Sequence, residues 1–353
     1  MIKFRNKINI FFSDIIYQLF YRLRIKKKPL IIWGRSPYLQ FGPGIRTRRL
    51  KNHIEKESIN KICIYMQSHW PWYDILIYTF FAKVLNIKII FNQNGVFSKK
   101  YIKNYKFHNL ILLFGILNSD HIIYQSWYCY ESILKIAPYY IKNLIKSKKF
   151  NRVINPTINY SSNNYTSDTK KHKILIRNAF NKSNVYYSNY IYELSQKLNN
   201  ENFIKEINIV GNIQENINQN KIKTLLNFKK INLYGTLENK KLLELIKQNT
   251  IVIHLNYGDS CPNFISEVIS FGLPCILNPV GGGKEIALKA CICPSNNICL
   301  DGNYMPNFEV VLKSIKELIK NYSEHKKFAI KRAEKLNIKN YSKSHLQIIN
   351  KIE

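Results

Sequence analysis

The sequence predicts an α/β protein with two doubly wound domains, each a parallel β-sheet covered by helices. Short apolar runs alternate with amphipathic stretches along most of the 353 residues, which is typical of buried parallel strands joined by crossover helices. A polar stretch rich in Asn, Ser and Thr interrupts this alternation at 155–171, and the same rhythm then resumes. A chain of this length is also long for one hydrophobic core and suited to two.

Composition excludes a disordered chain and indicates which partners the protein could bind. Apolar residues make up 46% and aromatic residues 13% of the chain, which excludes global disorder. Lys and Arg number 54 against 22 Asp and Glu, and this excess favours a polyanionic partner such as nucleic acid, an anionic membrane or a phosphorylated substrate. The excess is larger in residues 1–170, with 28 basic and 7 acidic residues. Lys, Asn, Ile and Tyr are abundant together, so drift in the composition of the whole proteome explains the positive charge equally well.

Cysteine usage and hydropathy predict a cytoplasmic protein without a metal. The seven cysteines are scattered and odd in number, unlike a secreted disulfide framework. No second Cys pair or His completes a zinc-ligand spacing around 291–299. No run of 18 apolar residues predicts a membrane span, and Ser13, Asp14 and Gln18 interrupt the apolar segment that would form a signal peptide.

Residues 1–28 are predicted to form an amphipathic helix with basic flanks. One apolar stripe follows the i, i+3, i+4, i+7 pattern and consists of Ile8, Phe11, Phe12, Ile15, Ile16, Leu19, Phe20 and Leu23. A helix of this kind lies in an anionic membrane interface or packs on its own domain. Membrane binding would place the chain on the inner face of the cell membrane.

The first domain is predicted over 29–165. Apolar runs predict strands at 30–33, 62–66, 87–91 and 122–125, with a helix at 75–85. Gly42-Pro43-Gly44 predicts a loop before a basic helix that begins near Arg46.

The second domain is predicted over 166–335, followed by a helix at 336–353 that packs back on the first domain. Strands are expected at 173–177, 207–211, 231–235, 251–256 and 275–278, and helices at 189–198, 239–248 and 263–271. Two such domains would face each other across a ligand-binding cleft.

Residues 251–285 carry the strongest functional pattern. A strand runs into a Gly-Asp-Ser-Cys-Pro turn, and a helix is predicted to open at Pro262 with Ser260 or Cys261 as its cap. The free N–H groups of Asn263, Phe264 and Ile265 would then bind phosphate or sugar hydroxyls. Glu267 lies one turn further along. A second turn at 279–283 allows close backbone approach through three consecutive glycines.

This segment resembles the retaining family-4 glycosyltransferases, which have the GT-B fold of two Rossmann-like domains. Their Glu-x7-Glu motif is matched by Glu267, with Asp259 at the first position. Gly272-Leu273-Pro274 and the run from Gly281 to Glu285 follow at suitable distances. Arg177 and Lys182 match the family's Arg-x4-Lys at the start of the second domain.

The resemblance implies a role for each matched residue. Glu267 would bind the donor ribose, and Asp259 would face hydroxyls of the transferred sugar. Arg177 and Lys182 would neutralise the leaving diphosphate. Backbone groups at the start of the helix and in the glycine turns would bind the donor, and these positions are Gly42, Gly44, Cys261, Pro262, Asn263, Phe264, Gly282 and Glu285. Glu285 is alternatively a cap for the helix that follows it, and the two N-terminal glycines alternatively only shape a turn.

Three polar residues in the first domain are acceptor-side candidates. His69 follows a predicted strand, Asn94 lies in an Asn-Gly turn where the family has His-Gly or Asp-Gly, and Ser126 ends another strand. A structural role for His69 is equally compatible with its position.

The implied activity is sugar transfer with retention of configuration, from a UDP- or GDP-sugar to a saccharide or lipid-linked saccharide, without a metal or other cofactor. Surface polysaccharide synthesis in bacteria would use such an enzyme. Two alternatives remain: a basic protein that binds nucleic acid without specificity, although no recognised binding motif accompanies the charge, and a non-catalytic GT-B relative that binds sugar nucleotides.

Overall fold

The structure is a computed structural model that describes residues 31–33, 42–57, 62–98, 102–157, 171–177, 185–213, 219–300 and 303–352. The helix predicted at 1–28, most of the polar stretch at 155–171, and Lys182 lie outside these residues. Two separate parallel sheets form in the order that the sequence predicts, one before and one after the polar stretch. The predicted α/β fold class is therefore confirmed.

The first sheet has five parallel strands in the order β1-β2-β3-β4-β5. Successive strand residues point to opposite faces, so Ile64 and Met66 belong to one buried cluster, and Cys63 and Tyr65 to another. Burial on both faces explains the continuous apolar runs in the sequence. The strands are β1 Ile31–Ile32, β2 Cys63–Gln67, β3 Lys88–Gln93, β4 His121–Tyr124 and β5 Phe150–Arg152.

Helices cover both faces of this sheet. Four of the five helices of this half pack on one face, while α1 and the C-terminal helix cover the other. The prediction of a loop at Gly42 and Gly44 was wrong, because α1 begins at Gly42. Proline is favoured in the first turn of a helix, because the N–H group that it lacks would have no partner within the helix there. The helices are α1 Gly42–Ile54, α2 Trp72–Val84, α3 Tyr105–Asn118, α4 Trp127–Ile136 and α5 Tyr139–Ser147.

The second sheet has six parallel strands in the order β11-β10-β9-β6-β7-β8. The strand order reverses direction between β6 and β9, and this switch point opens a crevice at the carboxyl ends of the strands. Arg177 ends β6, and the Gly-Asp-Ser-Cys-Pro turn follows β9. The strands are β6 His172–Arg177, β7 Ile204–Val210, β8 Ile231–Leu233, β9 Ile251–His254, β10 Cys275–Leu277 and β11 Cys291–Ile292.

The helices of the second half enclose two buried clusters, one on each face of the sheet. They are α6 Val185–Asn199, α7 Gln219–Leu226, α8 Asn239–Lys247, α9 Asn263–Ser270, α10 Gly283–Ala287, α11 Phe308–Lys320 and α12 Tyr322–Lys335, with a hairpin of β12 Asn297–Leu300 and β13 Asn303–Pro306 before α11. The last helix, α13 Ile338–Lys351, returns to the first sheet, where Tyr341 and Ile349 pack in one cluster with Ile31 and Leu50. Among the described helices, none has both the length and the apolar character needed to cross a bilayer.

Stability should fall in mild acid because of a histidine on α13. His345 is fully buried, and burial lowers its pKa to about 4, below the value of about 6.5 in an unfolded chain. The unfolded state therefore binds more protons as the pH falls, so stability present above pH ~6.5 is lost toward pH 4. We expect a loss of about 2 kcal/mol from this residue between pH 8 and pH 5. Chemical denaturation of His345→Gln should show a flatter pH dependence than the wild type.

Candidate active site

A cleft of about 570 Å³ separates the carboxyl edges of the two sheets. The first half contributes Arg46 and Arg49 from α1, together with Asn94 and Gln125 from strand ends. The second half contributes Arg177, the turn that follows β9 and part of the next helix, including Asp259, Ser260, Cys261, Pro262, Asn263, Phe264 and Glu267. The cleft therefore brings together most of the donor-side residues that the sequence predicts.

The turn after β9 is held by tight backbone contact with the glycine turn after β10. The N–H of Gly282 donates to the carbonyl oxygen of Asp259 at 2.9 Å. A Cβ added at Gly282 would lie 1.8 Å from the carbonyl oxygen of Ser260, so only glycine fits. Gly282 does not line the cleft. Gly282 therefore allows the turn after β10 to pack closely against the turn after β9, outside the cleft.

Helix α9 points its N-terminus into the cleft. The helix begins at Asn263 with Pro262 as its N-cap, and neither Ser260 nor Cys261 caps it, which corrects the predicted start. The N–H of Ile265 donates to the carbonyl oxygen of Pro262 at 3.1 Å and is not free. The N–H groups of Asn263 and Phe264 have no hydrogen bond within the described part of the chain. These two amides, with the helix dipole, form an anion-binding end.

Glu267 and Arg177 lie on the same wall of the cleft. Asn239 donates to the Glu267 carboxylate at 3.3 Å. The Arg177 guanidinium lies 4.8 Å from the ring centroid of Phe264, and this stacking holds it over the start of α9. Burial raises the pKa of Glu267, and the charges of Arg177 and Arg49 oppose that shift. The wall therefore offers a cation at the start of α9 and a carboxylate one turn further along the helix.

Asp259 faces the cleft beside a histidine that sequence reasoning missed. His254 ends β9 and its Nε2 lies 3.3 Å from Oδ2 of Asp259. The histidine is buried, whereas the Asp259 side chain is 38% exposed. The contact orients the carboxylate toward the cleft. The signal in the sequence was the position of His254 at the end of a buried strand, five residues before Asp259.

The opposite wall carries Arg46, which is 6% exposed. It donates to Oε1 of Gln125 at 2.9 Å and to Oδ1 of Asn155 at 2.6 Å. Asn155 in turn donates to Oδ1 of Asn263 at 2.9 Å. None of the described carboxylates forms an ion pair with Arg46, and its Nη2 makes no hydrogen bond to the described residues. A buried positive charge thus contacts the start of α9 through Asn155.

Among the acceptor-side candidates, Asn94 lines the cleft and His69 does not. Gln125 donates to Oδ1 of Asn94, and Nδ2 of Asn94 lies 3.1 Å from Nδ1 of His69. Burial, with a contribution from Arg46, lowers the pKa of His69 to about 3. His69 is therefore neutral at physiological pH and positions Asn94.

Solved structures share the fold of this chain at low sequence identity. HepE of Anabaena, crystallised with UDP, is 10% identical with a TM-score of 0.62, over 91% of this chain and 99% of HepE. A sucrose-phosphate synthase of Thermosynechococcus elongatus is 12% identical with a TM-score of 0.58, over 87% and 76% of the two chains. A trehalose-6-phosphate synthase is 8% identical with a TM-score of 0.58, over 97% of each. The chain has the GT-B fold. No protein-family model matches the sequence, and no curated protein matches it.

Two predicted site residues of this GT-B protein join the two halves instead of lining the cleft. The carboxylate of Glu285 accepts hydrogen bonds from the N–H groups of Trp127 and Tyr128, at 2.9 and 3.2 Å, and from Arg152 at 2.9 Å. Glu285 therefore caps the N-terminus of α4 across the domain boundary. Its carboxylate does not line the cleft, and it does not cap its own helix. Ser126 donates to the carbonyl oxygen of Ser260 at 2.7 Å. We refer to these contacts of Glu285 and Ser126 as the interdomain clasp.

Of the remaining predicted site residues, some line the cleft and others do not. Cys261 lines the cleft, and burial raises the pKa of its thiol, so it stays protonated. Gly42 and Gly44 lie in the first turn of α1. Gly44 does not line the cleft, although Arg46 and Arg49 of the same helix do. Within the described ranges, no group of three His, Cys, Asp or Glu side chains could hold a metal ion.

Removing the clasp should destabilise the domain interface. In Glu285→Ala two α4 amides and Arg152 lose their acceptor, and we expect a cost of about 1–3 kcal/mol. Thermal unfolding should shift to lower temperature, and limited proteolysis between the halves should accelerate. Glu244→Ala, at an exposed glutamate on α8, is the matched control. An unchanged melting temperature in Glu285→Ala would show that the Glu285 contacts of the clasp contribute little.

Proposed function

We propose that the protein is a glycosyltransferase that moves a sugar from a nucleoside diphosphate to a hydroxyl of a saccharide or lipid-linked saccharide, with retention of configuration. One observation carries the proposal. The Glu267 carboxylate, the Arg177 guanidinium and the free amides of Asn263 and Phe264 converge on one wall of the cleft. This wall stands at the switch point of a Rossmann-like sheet, where nucleotides bind.

The geometry suits a UDP- or GDP-sugar. A diphosphate at the start of α9 would accept hydrogen bonds from the two amides and contact Arg177. Glu267 lies one helical turn further in, within reach of a ribose diol that extends from that diphosphate. Asp259 lies in the turn before the helix, lines the cleft and is 38% exposed, so it would bind hydroxyls of the sugar.

The chemistry requires stabilisation of the leaving diphosphate. As the bond between the anomeric carbon and the phosphate oxygen breaks, negative charge develops on that oxygen. Amide dipoles and guanidinium charge stabilise it, and Lys182 would add to them. The acceptor oxygen bonds to the same face of the sugar, and its proton passes to the departing phosphate oxygen. Charge stabilisation of this kind needs no metal ion.

The acceptor would bind on the wall formed by the first half. Asn94 is half-buried and lines the cleft, so its side-chain amide would pair with a sugar hydroxyl. Gln125 is buried, and its amide bonds to Arg46 and Asn94, so it would hold Asn94 in place. The chain's charge of +32 favours an acceptor held at an anionic membrane. A role in surface polysaccharide assembly on the inner face of a bacterial membrane is consistent with both features.

The structural neighbours support the proposal. HepE was crystallised with UDP, and the sucrose-phosphate and trehalose-6-phosphate synthases are also glycosyltransferases. Each shares the two facing domains with this chain across most of its length.

Turnover of nucleotide sugars tests the proposal. UDP-, GDP- and ADP-sugars should be screened by isothermal titration and then by release of the nucleoside diphosphate, with and without EDTA. We expect one nucleotide class to bind and to be hydrolysed or transferred in EDTA, and NMR of the product to show the donor's anomeric configuration. Binding without turnover would indicate a non-catalytic relative. Inversion, or loss of turnover in EDTA, would contradict the mechanism.

A further inference from the structure

The outward face of helix α2 is apolar although it is exposed. Phe80 and Val84 are each 64% exposed, and Leu85 after the helix is 47% exposed. The single acid of this helix, Asp74, is buried on the opposite side. A helix on the surface of a soluble domain normally presents polar residues to water.

Helix α3 continues the same surface. Phe107, Leu110 and Phe114 are exposed at a spacing that places them in one row. The helix contains no acidic residue. The rings of Trp72 on α2 and Phe107 on α3 pack edge to face with centroids 5.7 Å apart. The apolar rows of the two helices are therefore continuous.

Helix α5 packs beside α3 and adds further exposed apolar side chains and lysines. Tyr139, Tyr140 and Leu144 are 81%, 68% and 53% exposed. Lysines border the three helices, and those with exposed or half-exposed side chains are Lys83, Lys103, Lys106, Lys142 and Lys146. We name the exposed apolar residues of α2, α3 and α5 together with these lysines the aromatic–lysine face.

Acidic residues are almost absent from this half. Residues 62–152 contain only Asp74, Asp120 and Glu131. Asp74 is buried, and Asp120 pairs with Lys88 at 3.6 Å. Glu131 lies on α4, outside the aromatic–lysine face. The face is thus both apolar and uniformly positive.

We propose that the aromatic–lysine face binds the surface of an anionic lipid bilayer. Aromatic and aliphatic side chains enter the headgroup boundary, while lysines extend their charged ends to lipid phosphates. A second copy of the chain would bring lysines against lysines, because a two-fold interface pairs a surface with itself. A bilayer is the partner that matches both properties. The binding site is distinct from residues 1–28 and does not depend on the proposed catalytic activity.

The orientation is favourable for a reaction at the membrane. Helices α2 and α3 follow β2 and β3 and therefore start at the carboxyl edge of the first sheet, the edge that carries Asn94 and Gln125. Trp72 and Phe107 lie in the first turns of these helices. A bilayer against the face would thus lie near the mouth of the cleft.

Vesicle flotation of the full chain tests the proposal. Wild type should bind vesicles of phosphatidylcholine with phosphatidylglycerol, and bind less at high salt or with phosphatidylcholine alone. Phe80→Glu with Leu110→Glu should lower vesicle partitioning about tenfold or more, because both charges would enter the headgroup boundary. The matched control is Leu226→Glu with Leu288→Glu, two leucines of the second half exposed to a similar extent, 58% and 54%. The control should bind like the wild type.

Each other outcome overturns the proposal. Undiminished binding of the Phe80 and Leu110 variant would place the lipid contact elsewhere, for example in residues 1–28. In another outcome, the wild type binds no vesicles and forms a dimer in light scattering, while the Phe80 and Leu110 variant is a monomer and the control variant remains a dimer. The face would then be an interface between two copies of the chain. Thermal unfolding checks that both variants are folded. Turnover of a soluble nucleotide sugar should be unchanged in both, so the result is independent of the proposed activity.

Discussion

Replacing Arg177 with alanine is expected to lower kcat/KM for the nucleotide sugar by about 10²–10³-fold. Its guanidinium lies over the ring of Phe264, at the helix start where the diphosphate would bind. Charge that develops on the leaving oxygen would lose its nearest described cation on this wall. Because that charge is largest in the transition state, kcat should fall more than donor affinity. Steady-state kinetics with the preferred donor, together with isothermal titration, measure the two effects separately.

Arg177→Lys is the informative control. It keeps the charge but loses the forked donors and the planar stacking on Phe264, so activity should lie between the wild type and Arg177→Ala. If Arg177→Ala lowers donor affinity and kcat/KM by the same factor and leaves kcat unchanged, the residue binds the donor equally in the ground state and in the transition state. It would then contribute to binding and not to the chemical step.

Replacing Glu267 with alanine is expected to weaken donor binding by about 10–100-fold, the value of one or two hydrogen bonds to a charged group. The carboxylate lines the cleft one turn inside α9, where the ribose would lie. Isothermal titration with the complete donor and with its 2′-deoxyribose analogue tests the contact. The analogue should bind the wild type more weakly, and the difference should vanish in Glu267→Ala. Glu244→Ala on α8 should bind both like the wild type.

The pH dependence provides an independent check on Glu267. Since burial raises its pKa, the carboxylate should gain a proton at a higher pH than an ordinary glutamate. Donor affinity should therefore be full at neutral pH and fall as the solution is acidified, and Glu267→Gln should remove this dependence. A pH-independent affinity in the wild type would contradict a contact with the ionised carboxylate.

The elements predicted best were those whose signals are local. The β9 strand, its turn and helix α9 were recognised because an apolar run, a proline and the following periodicity are adjacent in the chain. Helix α3 was not located, because it is apolar on most of its surface and lacks a period that separates inside from outside. Its outward apolar row became meaningful only when the structure showed which side is exposed.

Contacts between distant residues could not be predicted in the same way. Glu285 lies next to the glycine turn in sequence, and this suggested a place in the cleft. Its carboxylate instead meets the start of α4, more than 150 residues away. Arg46 was one of several basic residues on α1, and only burial and the bond to Asn155 distinguish it.

A crystal structure of the protein with its preferred nucleotide sugar would show directly where the donor binds. We predict that the diphosphate lies against the amides of Asn263 and Phe264 and contacts Arg177, with the ribose hydroxyls at Glu267. A nucleotide bound outside the interdomain cleft, with Glu267 making no contact to it, would contradict the proposed donor site.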